Sequence, residues 1–544
     1  MKRNKWLAYI CTLFLLCCMS TACSESDFLD LKDDNHFTED NFWKDKADAE
    51  SALAATYSPI KFQMDGYYGA FDGWLNLNSR GDDIFTVVGE EVAMWQIATF
   101  QNSPSSGRDP YGYLYTGIQR ANVLLANIDK IPASKISDDE RSMIKSEAYC
   151  LRGFQYYLLV TNYGQVPLRT IPSNEDSPEK APESLENLWL HIESDFKAAI
   201  AGELPVTRPE SERGRIEKGT AIAMLGKAYA AQHKYQEAKD VLEPLLSAPY
   251  TYGLMANYAD NFTNVYENNK ESLFELQYSS DGSDTWGNED GIKLGSSIPQ
   301  FIGPVASNGW AKLMPSTYVV SQFVQELRPS GSDTKFDKRM YASFFFDPQT
   351  YGDVVPNEKW YGNSHSMDDL WTGNAAKMAG GAPAFNVNGT PGKFLLKKYT
   401  AYYVNDASAD NMKNIEGKSN NVRVLRFAEV LLLYAEACAK TNDVGGANYA
   451  LGLIRERAGL AAKTFTQAQL MAEIEHQNLL EFFGEGHRFD DLKRWYSYAE
   501  IQQIFRNNSK QGAENFKEKH LYYPIPVSEL RDNKGMVQNP LWTN

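Results

Sequence analysis

From Val424 to Lys440 the chain reads VLRFAEVLLLYAEACAK, and this stretch sets the class of the fold. Its apolar residues run almost all the way round a helical wheel, the mark of a helix buried among other helices. The polar exceptions Arg426, Glu429, Glu436 and Lys440 are separated by 3, 7 and 4 residues, so they form one stripe. A charged stripe on a buried helix needs partners. The nearest candidates are Arg455 and Arg457 in LIRERAGL (453–460), then Arg488, Asp490 and Asp491 in LLEFFGEGHRFDDLKRW (479–495). Composition alone supports a helical hairpin with an internal ion-pair network.

Taken in order, these motifs continue through YYPIP (522–526) to Gln538-Asn539-Pro540. Together they closely resemble the signature of the SusD/RagB family, outer-membrane lipoproteins that capture glycans for a TonB-dependent transporter. One position departs from the family pattern. Gln477-Asn478 stands where Glu-Arg is usual, a few residues before Glu481-Phe482. That change bears on one structural ion pair, not on the assignment.

The first residues read as an address. Lys2, Arg3 and Lys5 precede an apolar run from Trp6 to Met19, whose 14 residues fall short of the roughly 20 needed to span a bilayer. This is the pattern of a secretory signal over residues 1–22. Ser20-Thr21-Ala22-Cys23 resembles a lipobox, with Ser20 where leucine is more usual, and makes Cys23 the expected lipid anchor of a tether over 23–40. The alternative is an ordinary signal peptide cut near the same place. Ser24-Glu25-Ser26-Asp27 resembles the acidic tag that sends such Gram-negative lipoproteins to the cell surface, where a diacyl anchor holds without a spanning helix.

Cleavage there removes Cys11, Cys17 and Cys18, leaving Cys150 and Cys438 in apolar helical patterns, where buried free thiols are expected. It also removes three cations and no anion, taking the net charge from -16 to -19. So acidic a surface argues against nucleic acid or an anionic membrane as a partner. It likewise favours a neutral polysaccharide over a sulfated or uronic one. The chain carries 11 Trp and 31 Tyr, enough aromatic area to spare some for a binding surface.

In chain order, Asp48 to Tyr57 opens a first helix, and Tyr115 to Leu125 has the spacing of its partner. Glu147 begins a longer helix that Val166-Pro167-Leu168 closes. Ala221 to Leu246 carries Gly226, Ala230, Tyr235 and Ala238 where a tetratricopeptide repeat wants small and aromatic residues. Leu425 to Leu460 reads as a second such unit. The resemblance implies an all-α scaffold of about four tetratricopeptide-like helix pairs, with long loop-rich insertions and minor β-hairpins. The expected division is an N-terminal helical region over 41–250, a loop-rich ligand-binding region over 251–420 and a C-terminal helical region over 421–544. Short β-prone runs such as Leu273–Tyr278 and Phe394–Tyr399 interrupt the middle region.

Long loops on a rigid scaffold are where binding residues tend to sit. A sugar ring stacks its C–H face on a flat aromatic, while its hydroxyls need donors and acceptors from Asp, Asn, Gln or Arg. The loop-rich stretch from Gln63 to Arg108 offers Trp74, Asn76, Asn78, Arg80, Asp82, Asp83, Trp95 and Gln101. The later one offers Trp286, Trp310, Trp360, Tyr361 and Trp371. The resemblance favours Trp74, Trp286 and Trp310 as stacking residues, with Trp95 and Trp360 next, and Arg80, Asp82, Asp83 and Gln101 as hydroxyl partners. Against this stands a plainer reading, in which each tryptophan pins its loop in a satellite hydrophobic cluster and Arg80 and Asp82 form a surface pair.

Other classes of function find less support. H-E-x-x-H, G-x-S-x-G and P-loop motifs are missing from the sequence, and its seven histidines lack ligand spacing. A glycoside hydrolase needs only two carboxylates at a set separation, so 70 acidic residues leave that class open. Glu481 and Glu485 are structural in the family pattern. A protein-interaction scaffold is the third class, yet the tryptophans sit in polar loops and not along an apolar helical groove. No cofactor is expected. Asp281-Gly282-Ser283-Asp284 could lend oxygens to a structural calcium ion, without the spacing of an EF-hand. The expected partners are an oligosaccharide or polysaccharide and a SusC-like transporter, at the outer membrane through the lipid anchor.

Overall fold

The computed structural model describes residues 42–64, 74–87, 92–106, 110–279, 295–304, 309–355, 385–387, 390–392, 394–403 and 419–543. Its scaffold consists of α1 (Lys46–Met64), α2 (Tyr111–Asn127), α3 (Asp138–Tyr163), α4 (Leu185–Ala201), α5 (Lys218–Ala231), α6 (Tyr235–Leu242), α7 (Phe427–Lys440) and α8 (Val444–Arg457). After these come α9 (Gln467–Glu481), α10 (Arg488–Trp495) and α11 (Tyr498–Asn507). Helix α1 packs on α2, α3 on α4, α5 on α6 and α7 on α8, and the pairs stack through α2–α3, α4–α5 and α6–α7. This is the all-α repeat scaffold, of about four helix pairs, that the family resemblance implies. Each pair has apolar residues on more than one face, so a neighbouring pair must cover what its own partner leaves open.

Local chemistry fixes several boundaries. Helix α3 begins at Asp138, ahead of the expected start at Glu147, because Ser137 and Glu140 form a capping box. The Glu140 N–H donates to Ser137 Oγ at 3.2 Å and the Ser137 N–H donates to Glu140 Oε2 at 3.0 Å. The helix ends at Gly164, whose φ of +75° suits a residue without Cβ. Gly117 lets α2 approach α3 closely, since a Cβ there would lie 2.1 Å from Gln155 Oε1. Arg152 then ties three helices together. It grips Asp195 of α4 through Nε (2.9 Å) and Nη2 (2.7 Å) and donates from Nη1 to Asn122 of α2 at 2.8 Å. Cys150 and Cys438 are buried and free.

The strands are β1 (Ile84–Thr86), β2 (Ser272–Leu276), β3 (Leu313–Pro315), β4 (Phe344–Phe345), β5 (Phe385–Val387), β6 (Thr390–Gly392), β7 (Leu395–Leu396) and β8 (Val422–Arg426). They pair antiparallel as β1–β3, β2–β8, β4–β7 and β5–β6. Of these only β5–β6 is a hairpin; the other three join segments far apart in the chain. The helix expected from Val424 therefore starts at Phe427. Val422 to Arg426 instead forms a ladder with β2, Arg423 facing Glu275, and the Phe427 N–H donates to the Glu271 carbonyl at 2.7 Å.

The polar stripe finds partners other than those nearest in sequence. Glu429 pairs with Lys227 of α5 at 2.6 Å, and Glu436 with Arg494 of α10 at 2.8 Å. Arg455 turns to Glu326 and Glu473, both at 2.6 Å. Arg426 is wholly buried between three carboxylates. It meets Glu271 at 2.9 Å, Glu485 through Nε (2.9 Å) and Nη2 (2.8 Å), and Glu481 at close range. Arg457 reaches the same Glu271 and Glu481, Arg339 reaches Glu481 at 3.1 Å, and Lys398 reaches Glu485 at 2.8 Å. Gln477, the departure from the family pattern, accepts from Arg339 Nη2 at 2.7 Å, so a neutral amide supplies an acceptor there. Glu481 ends α9 and Glu485 lies beyond it, so a turn brings both carboxylates to Arg426.

Burial alone would raise the Glu485 carboxyl, but Arg426 and Lys398 hold it at about 2 in the folded chain, below its ordinary 4.5. A carboxyl depressed by folding stabilises above its unfolded pKa and loses that contribution as the pH falls toward the folded value. The stability gap between wild type and Glu485→Gln should therefore narrow between about pH 5 and about pH 2. Urea unfolding across that range reads it, and a constant gap would show that the charge of Glu485 is not what Arg426 requires.

Candidate functional site

The two loop-rich stretches that carry the candidate residues meet through the β1–β3 ladder. Ile84 faces Pro315 and Thr86 faces Leu313, and the Val87 N–H extends the ladder to the Lys312 carbonyl at 2.9 Å. The short helix Val92–Ala98, which bears Trp95, packs on β1 and on the helix Trp74–Ser79. On the other strand, Trp310 lies just ahead of β3. Its N–H donates to the Gln300 carbonyl at 2.8 Å, and the Lys312 N–H donates to Phe301 at 2.8 Å. Phe301 meets the Trp310 indole edge to face at 5.0 Å, and the Lys312 ammonium lies 5.8 Å from that ring. Trp310 is half-buried and packs against the main core.

Trp95 is half-buried too, and its indole N–H is shielded from solvent without an acceptor among the described residues. Gln101 is exposed. Trp95, Gln101 and Trp310 thus ride on segments joined by one ladder. Trp286, Trp360, Tyr361, Trp371, the Trp74 side chain, Cys23 and the run Asp281–Asp284 lie outside the described residues.

Arg80, Asp82 and Asp83 were expected as hydroxyl partners, but their side chains belong to the interior. The Arg80 guanidinium lies between the rings of Phe489 (3.9 Å) and Tyr523 (4.3 Å) and donates to the carbonyls of His520 (2.9 Å) and Leu521 (3.2 Å). Asp82 is fully buried and accepts from Arg488 Nε at 2.6 Å and Nη2 at 3.1 Å, and from Asn508 at 2.7 Å. Burial works to raise its carboxyl, but Arg488 keeps it below the usual range. Burial and the neighbouring Asp82 push Asp83 up to about 7. Arg80 and Asp82 are therefore not a surface pair. Asn76 and Asn78 are buried as well, and Asn78 Oδ1 accepts the Gly486 N–H at 2.9 Å.

What the sequence did not disclose is the C-terminal segment that rivets this loop. Gln511 binds both the N–H and the carbonyl of Thr86 at 3.0 Å, Lys510 donates to the Ser79 carbonyl at 2.7 Å, and Asn515 donates to that of Thr99 at 3.1 Å. Phe100 inserts into a cluster with Phe489, Phe505 and Phe516. A polar segment some four hundred residues downstream carries no periodic signal that would pair it with Ser79 or Thr86. The arrangement can present aromatic faces on a stiff support. Among the described residues no group of His, Cys, Asp and Glu could hold a metal ion, and no helix is long and apolar enough to cross a membrane.

Residues 270–542 match the model of the SusD family, and residues 27–230 match a model described as starch-binding associating with outer membrane. A SusD-like protein of Formosa agariphila is 24% identical over 527 residues, covering 93% of each chain. The starch-binding protein SusD of Bacteroides thetaiotaomicron is 23% identical over 505 residues, 88% of this chain and 86% of that protein. The crystal structure of a SusD superfamily protein from Bacteroides vulgatus superposes with a TM-score of 0.76 at 26% identity, covering 92% of this chain and 100% of that one.

Removing Asp82 leaves Arg488 buried without its counter-ion. Asp82→Ala should cost about 3–5 kcal/mol of stability, since the remaining charge stays desolvated. A urea midpoint equal to that of wild type would show that this pair does not anchor the loop.

Proposed function

The chain belongs to the SusD family, and from that premise we propose that it is a cell-surface lipoprotein that captures an oligosaccharide and delivers it to a SusC-like TonB-dependent transporter in the outer membrane. Membership places it among carbohydrate-binding proteins and not among hydrolases. The role is therefore binding without bond cleavage. The observation that carries the reading is the β1–β3 ladder, which joins the segments bearing Trp95 and Trp310 into one supported surface.

In this reading the indole faces stack on sugar rings and Gln101 serves a hydroxyl. Trp74, Trp286 and Trp360 belong to the same proposal through the family resemblance alone. Rigid support matters for such a site, because aromatic side chains held in place by packing lose little further freedom on binding. A mature net charge of -19 favours a neutral glycan, since polyanions would be repelled. The name of the Bacteroides relative makes starch the first neutral polymer to try. Cys23 is the proposed acylated residue, with the tether after it holding the scaffold at the membrane.

Calorimetric titration of residues 24–544 against neutral and acidic glycans, with product analysis, tests the reading. Saturable binding without hydrolysis is expected; released product would overturn the non-catalytic role. Trp310→Ala should weaken binding by about 1–3 kcal/mol if the ring anchors a sugar, and an unchanged affinity would move the site away from it. Cys23→Ala should shift the protein from the membrane fraction to the soluble periplasm. Unaltered fractionation would sink the lipid anchor.

A further inference from the structure

We propose that a groove along the outer side of α9 is a second carbohydrate subsite, taking neutral sugar rings of a chain whose other rings lie at the Trp310 surface. The proposal rests on the capture function above and extends it to longer ligands. The groove runs between α9 and the short helix Thr317–Phe323, open to solvent, with a volume of about 550 Å³. That lies within the about 300–1,000 Å³ of ordinary ligand sites.

Its shape follows from the sequence of α9. Leu470, Ile474, Gln477 and Glu481 turn to the interior, which leaves Ala468 and Ala472 exposed one turn apart. Two alanines remove the bulk that would otherwise fill the space. The aromatic rings of Phe465 and Tyr318, both half-buried, stand in its lining, and Gln325 and Glu475 add polar groups. The Tyr496 hydroxyl donates to Glu475 Oε2, while Glu475 Oε1 and the exposed Gln325 amide carry no hydrogen bond among the described residues. Aromatic rings, with Arg455 and Arg488 5.5 and 5.9 Å from the Phe465 and Tyr318 centroids, beside unengaged amide and carboxylate oxygens supply apolar surface for a sugar's C–H groups and a polar rim for its hydroxyls.

Charge selects among sugars. Arg488 lines the groove but is committed to Asp82, and the other ionic groups there are Glu473, Glu475 and His476. Among the described residues that line the groove, no arginine or lysine is left over for a sulfate or uronate. Continuity with the first surface comes through the chain itself. The helix Thr317–Phe323 starts directly after β3, Ser316 Oγ–H donates to the Asp82 carbonyl at 2.7 Å, and the Ser316 N–H donates to that of Asp83 at 2.8 Å. The wall of the groove and the β1–β3 ladder are thus one piece of structure.

The test compares a short and a long member of two neutral series, maltotriose with maltoheptaose and laminaritriose with laminarihexaose. Ala472→Trp fills the groove from an exposed position. In the series the wild type binds, it should leave the trisaccharide affinity unchanged and weaken the longer ligand by about tenfold. Hydrogen exchange on the wild type supplies a readout independent of the variant. The longer ligand, and not the trisaccharide, should slow exchange across 467–479. Equal affinities of wild type and Ala472→Trp for the longer ligand, or no protection of 467–479, would overturn the subsite while capture stands. Loss of both ligands in Ala472→Trp would also overturn it, since the groove would then not be a separate subsite. If the wild type binds neither series nor any other neutral glycan, the capture function itself falls, and the subsite with it.

Discussion

Arg426 stands where strand β8 passes into helix α7, fully buried, with Glu271, Glu481 and Glu485 around its guanidinium. A cation there would be prohibitive without them, since the desolvation of each ion amounts to several kcal/mol. The partners come from three places, the turn before β2, the end of α9 and the loop that follows it. Arg457, Arg339 and Lys398 share the same carboxylates, so α8, the helix Lys338–Ser343 and the segment after β7 are bound into the network. A network of this kind favours one arrangement of those segments, because any other leaves a charge buried alone. Its contribution is to specificity of packing as much as to stability, which a hydrophobic replacement could also supply.

The same logic recurs at smaller scale along the scaffold. Arg152 with Asp195 and Asn122 sets α2, α3 and α4 against each other. Glu147, wholly buried, is gripped by Arg208 at 2.7 Å and Arg215 at 2.6 Å and takes the Tyr57 hydroxyl at 2.6 Å, linking α1 to α3. Asp82 with Arg488 extends it to the loop in front of β1. Buried ion pairs thus reinforce the apolar packing between helices and also mark the junctions where irregular segments dock on them. Loops fastened in this way can carry aromatic side chains without the ordering cost that a free loop would pay on binding.

A good part of this was legible in the chain. The all-round apolar pattern of α7 and the small residues of α5 and α6 marked paired helices, and the family resemblance implied that the pairs stack. The tryptophans pointed to two regions that the fold joins. Arg80, Asp82 and Asp83 were misread because a polar cluster in a loop looks the same whether it faces water or a buried arginine. The distinction depends on Arg488, Asn508 and Lys510, hundreds of residues away, and no local period encodes such a contact.

The sequence by itself determined the individual helices and their small-residue contacts, which depend on the spacing of apolar and small residues within a few turns of one another, and its ordered C-terminal motifs carried the resemblance that implied the family and its scaffold of helix pairs. It also determined that the C-terminal charges must be paired, since a stripe of ions on an apolar helix has no other means of staying folded. Only the tertiary structure decided which ions pair. It alone made Val422–Arg426 a strand, joined β1 to β3, and divided the loop residues into interior struts and surface groups. These outcomes rest on contacts between distant segments. Each is chosen by the removal of water from both partners at once, a condition that neither segment can express alone.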